Sequence, residues 1–345
     1  MMCGKIRTND VLEEIKGGFK MVWENVLAKF KELFGDEGEI GVYFAPGRVN
    51  MIGEHTDYNG GHVFPCALTI GTYGVARKRN DKKLRFYSMN FEQLGVLESS
   101  VENLKPEKEA DWTNYPKGVM WAFGEKGMKV EQGMDLVLFG NIPNGSGLSS
   151  SASVEVLTGF ILRDMFGFDV TNQDLALIGQ YSENKFNGVN CGIMDQFASV
   201  FGKAGNLIRL DCSTMEYEYI PFDPQGYKLV LIDSVTKHEL VDSPYNKRRQ
   251  SCERAAAAIA GNHPEVKLLG DATLEMLEEV KDKISEEDYM RATYAIQENS
   301  RLADTCEALK RGDYETVGKN IYATHHGMSK LYEVSTEELD FLNDV

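Results

Sequence analysis

The chain has 345 residues, 42% of them hydrophobic and 26% charged, with a net charge of −16. This is the composition of a globular protein with room for two domains, not of a disordered or fibrous one. The acidic balance argues against nucleic acid or anionic membrane as the main partner, since both require a basic face.

The first ten residues, Met1 to Asp10, contain no apolar leader, and no run reaches the length of a membrane span. The reading is therefore a cytoplasmic protein, expected to be a monomer. Six cysteines (Cys3, Cys66, Cys191, Cys212, Cys252 and Cys306) are scattered without a Cys-x-x-Cys pair, so free thiols are expected. The six histidines lack metal-ligand spacing, which argues against zinc.

In chain order, apolar residues at Leu12, Ile15, Phe19, Val22, Val26, Leu27 and Phe30 predict a helix over Asp10–Phe34, weakened at Gly17-Gly18. Ile40 to Ala45 reads as a strand, broken by Pro46-Gly47. Arg48, Glu54, His55 and Asp57 follow in a turn-rich segment that ends at Asn59-Gly60-Gly61. Fixed carboxylates on a tight turn suit a ligand with several hydroxyls, because each ionised oxygen accepts more than one hydrogen bond. Val63 to Ala76 is β-rich, and Leu84 to Tyr87 is expected to pair with it. The basic residues Arg77, Lys78, Arg79, Lys82, Lys83 and Arg85 between them read as a solvated hairpin tip.

Trp112 to Phe123 predicts a helix, and Asp135 to Phe139 a short buried strand. A glycine- and serine-rich loop, Gly140 to Ser153, then leads into a long helix. Gly145 and Gly147 let the backbone approach a ligand, and Ser149, Ser150 and Ser151 sit where a helix N-terminus favours phosphate. The loop is neither a Walker A loop nor a nucleophile elbow. Thr171 to Asp174 is a capping-box-like start for a helix running to about Phe186, with Glu183 near its end. Asp195 follows in Gly188 to Phe197, and Lys203 to Asn206 reads as a turn and domain seam. Leu229 to Ile232 predicts another buried strand, and from about Tyr245 the chain is mostly helical. Ser335 to Glu338 reads as a capping box opening a short last helix.

Three segments together resemble the galactokinase branch of the GHMP kinases. Ala45 to Gly61 is similar to its galactose-binding signature. Pro143-Asn-Gly-Ser-Gly-Leu-Ser-Ser-Ser-Ala152 is similar to its second motif, and Cys191-Gly-Ile-Met-Asp-Gln196 to the motif around its catalytic aspartate. The resemblance implies a two-domain α+β fold with the active site between domains, divided near residues 1–200 and 201–345. It implies ATP-dependent phosphorylation of galactose at the anomeric hydroxyl, with ATP and Mg²⁺ as cofactors.

By the same resemblance Asp195 and Arg48 are catalytic, and Glu54, His55, Asp57, Gly192 and Tyr245 bind the sugar. Pro143, Gly145, Ser146, Gly147, Leu148, Ser149, Ser150, Ser151 and Ala152 wrap the triphosphate, while Ser151 and Glu183 hold the metal. Trp112 and Tyr115 resemble a segment near the adenine, with core packing as the competing reading. Ser251 is an insertion in the segment around Tyr245. The family continues past the Glu338-Leu-Asp340 helix into a third, glycine-rich motif. Gly327 is the last glycine here, so an incomplete C-terminal domain with reduced stability is expected. Two alternatives stay open: a 1-kinase for N-acetylgalactosamine or galacturonate, and a galactose- and ATP-binding protein with little turnover.

Overall fold

The computed structural model of the chain describes residues 4–5, 18–143, 145–224, 226–234 and 245–345. The fold is α+β, and it divides into two compact units. The first comprises residues 1–48, 67–191 and 195–204, the second residues 49–66, 192–194 and 205–345.

The first unit is built on a six-stranded sheet. Its spatial order is Gly4–Lys5, Gly41–Asn50, Pro65–Lys78, Met134–Gly140, Lys83–Ser88 and Leu97–Ser100. Alternation places Val42 and Phe44, Tyr73 and Val75, and Val137 on one face. Trp23, Val26 and Phe30 of the helix Gly18–Phe34 cover that face, as their helical spacing predicts. The N-terminal part of the expected helix, Asp10 to Gly17, lies outside the described residues. Leu157 of the helix Ser150–Phe166 lies against Gly74, where a Cβ would fall 2.8 Å from its Cδ2. That helix packs with Asn114–Glu125 and Asn172–Ser182.

Two expectations about this sheet need correction. Leu84 to Tyr87 does not pair with Val63 to Ala76. The strand Met134–Gly140 lies between them, antiparallel to Pro65–Lys78 and parallel to Lys83–Ser88. The basic residues are not all a solvated tip either. Lys78, Lys82 and Lys83 are exposed, but Arg77, Arg79 and Arg85 converge on the buried Asp135. Their donors lie 2.7–2.9 Å from its two oxygens. Burial works to raise the Asp135 pKa, but hydrogen bonds from Arg85, Arg77 and Arg79 outweigh it and hold the carboxyl below its usual range. A carboxylate in the central strand needs cations from both neighbours, which is why the arginines of two separate strands turn inward.

The predicted capping box is present: Asp174 N donates to Thr171 Oγ1, and Thr171 N donates to Asp174 Oδ2. The helix it opens is α-helical to Ser182, then makes one wide π turn over Glu183–Asn187. Such turns recur at functional sites.

The second unit has a three-stranded antiparallel sheet, His62–Val63, Asn206–Asp211 and Tyr217–Pro221. Leu207 and Ile220 pack with Ile52 and Phe64 against Leu302, Cys306 and Leu309 of the long helix Glu286–Lys310. A second core joins the helix Tyr245–Ala260, through Cys252, Ala255 and Ile259, to Ala292, Tyr294 and Ala295 of that long helix.

Leu229 to Ile232 is not a buried strand. It is extended and exposed, with Val230 69% and Ile232 62% accessible, and it joins neither sheet. An apolar run becomes a strand only where a neighbour accepts its backbone hydrogen bonds, and no described strand does so. The last helix, Glu337–Asp344, is capped one residue later than expected. Thr336 Oγ1 accepts from Leu339 N, while Ser335 Oγ instead donates to Asp340.

Candidate active site

In the first unit, the strand Gly41–Asn50 carries Arg48 close to its end, and the loop after Met134–Gly140 runs beside it. Arg48 N donates to Leu148 O at 3.2 Å, and its Nη1 donates to Gly147 O at 2.7 Å. The same guanidinium donates through Nε to Asp195 Oδ1 at 2.8 Å. Asp195 sits in the first turn of the helix Met194–Phe201. Its other oxygen, Oδ2, accepts from Ser149 Oγ at 2.6 Å. Ser149 was expected only as a phosphate ligand, so its bond to Asp195 is new. Arg48 and Asp195 retain 13% and 31% side-chain exposure, so the pair faces an accessible space.

The loop has the conformation its glycines suggest. Gly145 and Gly147 have φ of 75° and 70°, the left-handed region where a side chain is strained. Pro143 O accepts from Ser146 N and from Ser146 Oγ, closing a tight turn. Ser149 is also left-handed, with φ 61°, and makes no side-chain cap for the helix it precedes. The N–H groups of Ser150, Ser151 and Ala152 are thus at an uncapped helix start. Trp112 is core, packed edge-on to Phe86 at 6.2 Å, and Tyr115 is half-buried.

Behind the loop lies a buried acidic pair. Glu183 heads the π turn, and Glu155 lies on the helix Ser150–Phe166, four residues after Ser151. Both are nearly fully buried, and Glu155 Oε2 accepts from Gln196 Nε2 at 3.0 Å. Burial pushes both carboxyls up. Glu155 is raised further by the neighbouring Glu183, whereas Glu183 is raised by Asp195 and eased by Glu155 and Ser151. Glu183 Oε2 is buried with no hydrogen-bond partner. Glu155 was not singled out by the sequence reading, although its i+4 spacing from Ser151 places the two on one helix face.

In the second unit, Gly53 to Gly61 forms a tight loop. Gly53, with φ 96°, donates its N–H to the buried Glu298 at 2.8 Å. Thr56 Oγ1 donates to Gly53 O at 2.8 Å, and Gly61 N to Thr56 O at 2.9 Å. Tyr294 Oη donates to Glu54 O at 3.1 Å, and His62 N to Asn299 Oδ1 at 2.9 Å. Three residues of the helix Glu286–Lys310 therefore hold this loop.

His55 is left-handed at φ 62°, an uncommon state outside glycine. Its ring lies 5.5 Å from that of Tyr245, and Tyr58 lies 5.4 Å from Tyr245. Burial, then the nearby Arg248 charge, lowers the His55 pKa to about 4, so the ring is neutral near pH 7. Asp57 Oδ1 accepts from Tyr58 N at 2.9 Å, and Oδ2 from Met194 N at 3.4 Å. Gly192 approaches this carboxylate so closely that a Cβ there would fall 2.0 Å from Asp57 Oδ2.

The expected residues thus fall into two sets. Arg48, Asp195, Glu183 and the serine loop belong to the first unit. Glu54, His55, Asp57, Gly192 and Tyr245 belong to the second. No group of three or more His, Cys, Asp or Glu among the described residues is placed to hold a metal ion by itself.

Comparison with known proteins gives the family of the chain. Residues 28–78 match the galactokinase galactose-binding signature, and residues 114–203 match the GHMP kinases N-terminal domain. The chain is 49% identical over 320 residues to a galactokinase of Fusobacterium nucleatum, covering 92% of this chain and 82% of that one. It is likewise 49% identical to a galactokinase of Clostridium beijerinckii, with the same coverage. The crystal structure of Lactococcus lactis galactokinase complexed with galactose superposes with a TM-score of 0.89 at 40% identity, over 93% of this chain and 83% of that one. A Methanococcus jannaschii mevalonate kinase shares the fold alone, with a TM-score of 0.56 at 17% identity, over 90% and 84% of the two chains.

Proposed function

The chain belongs to the galactokinase family and is an enzyme that phosphorylates galactose, and from that premise we propose how its residues divide the work. The observation that carries the reading is Asp195, gripped on one oxygen by Arg48 and on the other by Ser149 beside the glycine loop.

Asp195 accepts the proton of the anomeric hydroxyl as that oxygen attacks the γ-phosphorus of ATP. Its two hydrogen bonds fix the carboxylate in orientation, which matters because phosphoryl transfer depends chiefly on positioning and charge stabilisation. Arg48 opposes the negative charge on the transferring group. The loop from Pro143 to Ala152 receives the triphosphate on left-handed glycines and free helix N–H groups. Glu54, His55, Asp57, Gly192 and Tyr245 hold the sugar, with Asp57 reading the C3 and C4 hydroxyls. The wrong epimer forfeits a hydrogen bond to a charged group, roughly 1.5–3 kcal/mol.

Ser151 and Glu183 would hold a Mg²⁺ ion at the phosphate loop. Both offer hard oxygens, one Glu183 oxygen lacks a partner, and the crowded buried carboxyls favour a nearby cation. When bound, the ion neutralises phosphate charge. A cytoplasmic location fits an ATP-dependent enzyme whose described cysteines are all thiols, none in a disulfide. Among the described residues no helix is long and apolar enough to cross a membrane.

The test is ADP release with ATP, Mg²⁺ and galactose, run beside Asp195→Asn and with N-acetylgalactosamine and galacturonate in parallel. Galactose-dependent release, lost by several orders of magnitude in the variant while galactose still binds, is expected. Near-normal turnover in Asp195→Asn would sink the assignment of the base.

A further inference from the structure

His55 belongs to a buried line of polar atoms that runs away from the sugar loop. Its Nδ1 lies 2.9 Å from Tyr58 Oη, which lies 2.7 Å from Tyr332 Oη, which lies 3.2 Å from Cys252 Sγ. Tyr332 and Cys252 are fully buried, and Tyr58 is 7% exposed. All four residues belong to the second unit.

Tyr332 is held firmly. It closes a π turn, Met328–Tyr332, and is followed by Glu333 in the left-handed region at φ 54°. Arg248 Nε donates to Tyr332 O at 2.8 Å, while Arg291 donates to Leu331 O and to the Glu333 carboxylate. The Tyr332 ring packs against His55 at 4.9 Å and Tyr294 at 4.8 Å. Two arginines and two rings thus aim one phenol at Tyr58.

Each gap in the line holds one hydrogen, and when both phenol hydrogens stay within the line all the donors point the same way. If they point toward Cys252, the Tyr332 hydroxyl ends on sulfur, a weak acceptor. If they point toward His55, each hydroxyl finds an oxygen or nitrogen, and only the weak S–H donor meets the tyrosine oxygen. The second arrangement puts both phenol hydrogens on nitrogen or oxygen acceptors, and it is the better of the two. Burial keeps the His55 ring neutral, so its two tautomers are the states in play.

We propose that Cys252, Tyr332 and Tyr58 are positioning residues that lock His55 as the Nε2–H tautomer, giving the sugar site a fixed hydrogen-bond donor. The Tyr58 hydroxyl donates to Nδ1, and Nε2–H is left to donate to a sugar hydroxyl. That complements Glu54 and Asp57, which offer only acceptors when ionised. A histidine free to change tautomer would offer donor and acceptor alternately and would discriminate poorly between a hydroxyl and an ether oxygen. The inference rests on the proposed sugar-binding role of this loop.

The experiment is a nitrogen-15 spectrum of the full chain with labelled histidine, with His55 identified by the signals lost in His55→Gln. The expected result is a pyrrole-like Nε2 and a pyridine-like Nδ1, with Tyr58→Phe and Tyr332→Phe shifting both toward a tautomeric mixture. In parallel, the KM for galactose in Tyr58→Phe should rise about tenfold while kcat changes less than threefold and ADP affinity stays constant. A pyrrole-like Nδ1 in the wild type overturns the proposal. So do unshifted nitrogen signals with an unchanged KM in a folded Tyr58→Phe. If that variant does not fold, the wild-type spectrum and Tyr332→Phe decide the question alone. Absence of galactose binding by the wild type would instead overturn the function assigned to the loop, and the spectrum would still report the direction of the line.

Discussion

The tightest geometric constraint at the sugar loop is Gly192 against Asp57, and Gly192→Ala tests it directly. The new Cβ would lie 2.0 Å from Asp57 Oδ2 and 2.1 Å from Cγ, where ordinary contact begins at 3.4 Å. Relief therefore requires the carboxylate to retreat by more than an ångström or the Gly192 backbone to move equally far. Either shift also strains the bonds from Tyr58 N and Met194 N that orient Asp57. A hydrogen bond between a charged group and a hydroxyl contributes about 1.5–3 kcal/mol. Losing one in both the ground state and the transition state should raise the KM for galactose roughly 10–150-fold with little change in kcat. Steady-state kinetics and calorimetric titration with galactose read this effect, and titration with ADP serves as the control. Wild-type affinity for galactose in a folded Gly192→Ala would refute the reasoning, because the carboxylate would then not need its observed position.

Three further outcomes follow from other parts of the molecule. Asp135→Asn leaves Arg77 and Arg85 facing a neutral group while Arg79 keeps Asp81, and removing one side of a buried ion-pair cluster costs roughly 3–5 kcal/mol. The unit holding it should melt about 6–20 °C lower, measured by calorimetry. His55 has its folded pKa depressed to about 4, below the 6.5 of an unfolded histidine. The unfolded state then binds the proton first, so this contribution to stability is full above pH 6.5 and drains as pH falls toward 4. Denaturant titrations at pH 7 and pH 5 should show a larger loss in the wild type than in His55→Gln. Ser149→Ala removes one of two bonds on Asp195 and should lower kcat about tenfold while sparing the KM for galactose; an unchanged kcat would mean that Arg48 alone orients the carboxylate.

What the sequence disclosed depended on distance along the chain. Arg48, Glu54, His55 and Asp57 stand in one short motif, and the serine loop in another, so each stretch could be set beside a family motif as it stands. The capping box at Thr171 was legible because its partners are three residues apart. Ser149 was visible, but its bond to Asp195 was not: its position after two glycines spoke for phosphate, and nothing local shows that its hydroxyl donates to an aspartate 46 residues away. The arginines around Asp135 looked like surface charge because nothing local reveals that a strand from residue 134 onward slides between their own strands. Tyr332 left no signal at all, since a tyrosine in an amphipathic run is normally core packing. The exposed Leu229 to Ile232 run shows the converse: β-propensity was there, and the pairing was not.

The clamp on the sugar loop has a consequence for synthesis. Gly53, Glu54 and His62 are secured by Glu298, Tyr294 and Asn299, partners 245, 240 and 237 positions later in the chain. A ribosome adding about 5–20 residues per second would expose the finished motif for on the order of ten to fifty seconds before its anchors exist. Throughout that interval the nascent chain carries every residue of the galactose signature and none of the long-range bonds that hold its loop. Sugar added during translation should accordingly leave early folding untouched and act only once the helix Glu286–Lys310 has emerged and docked.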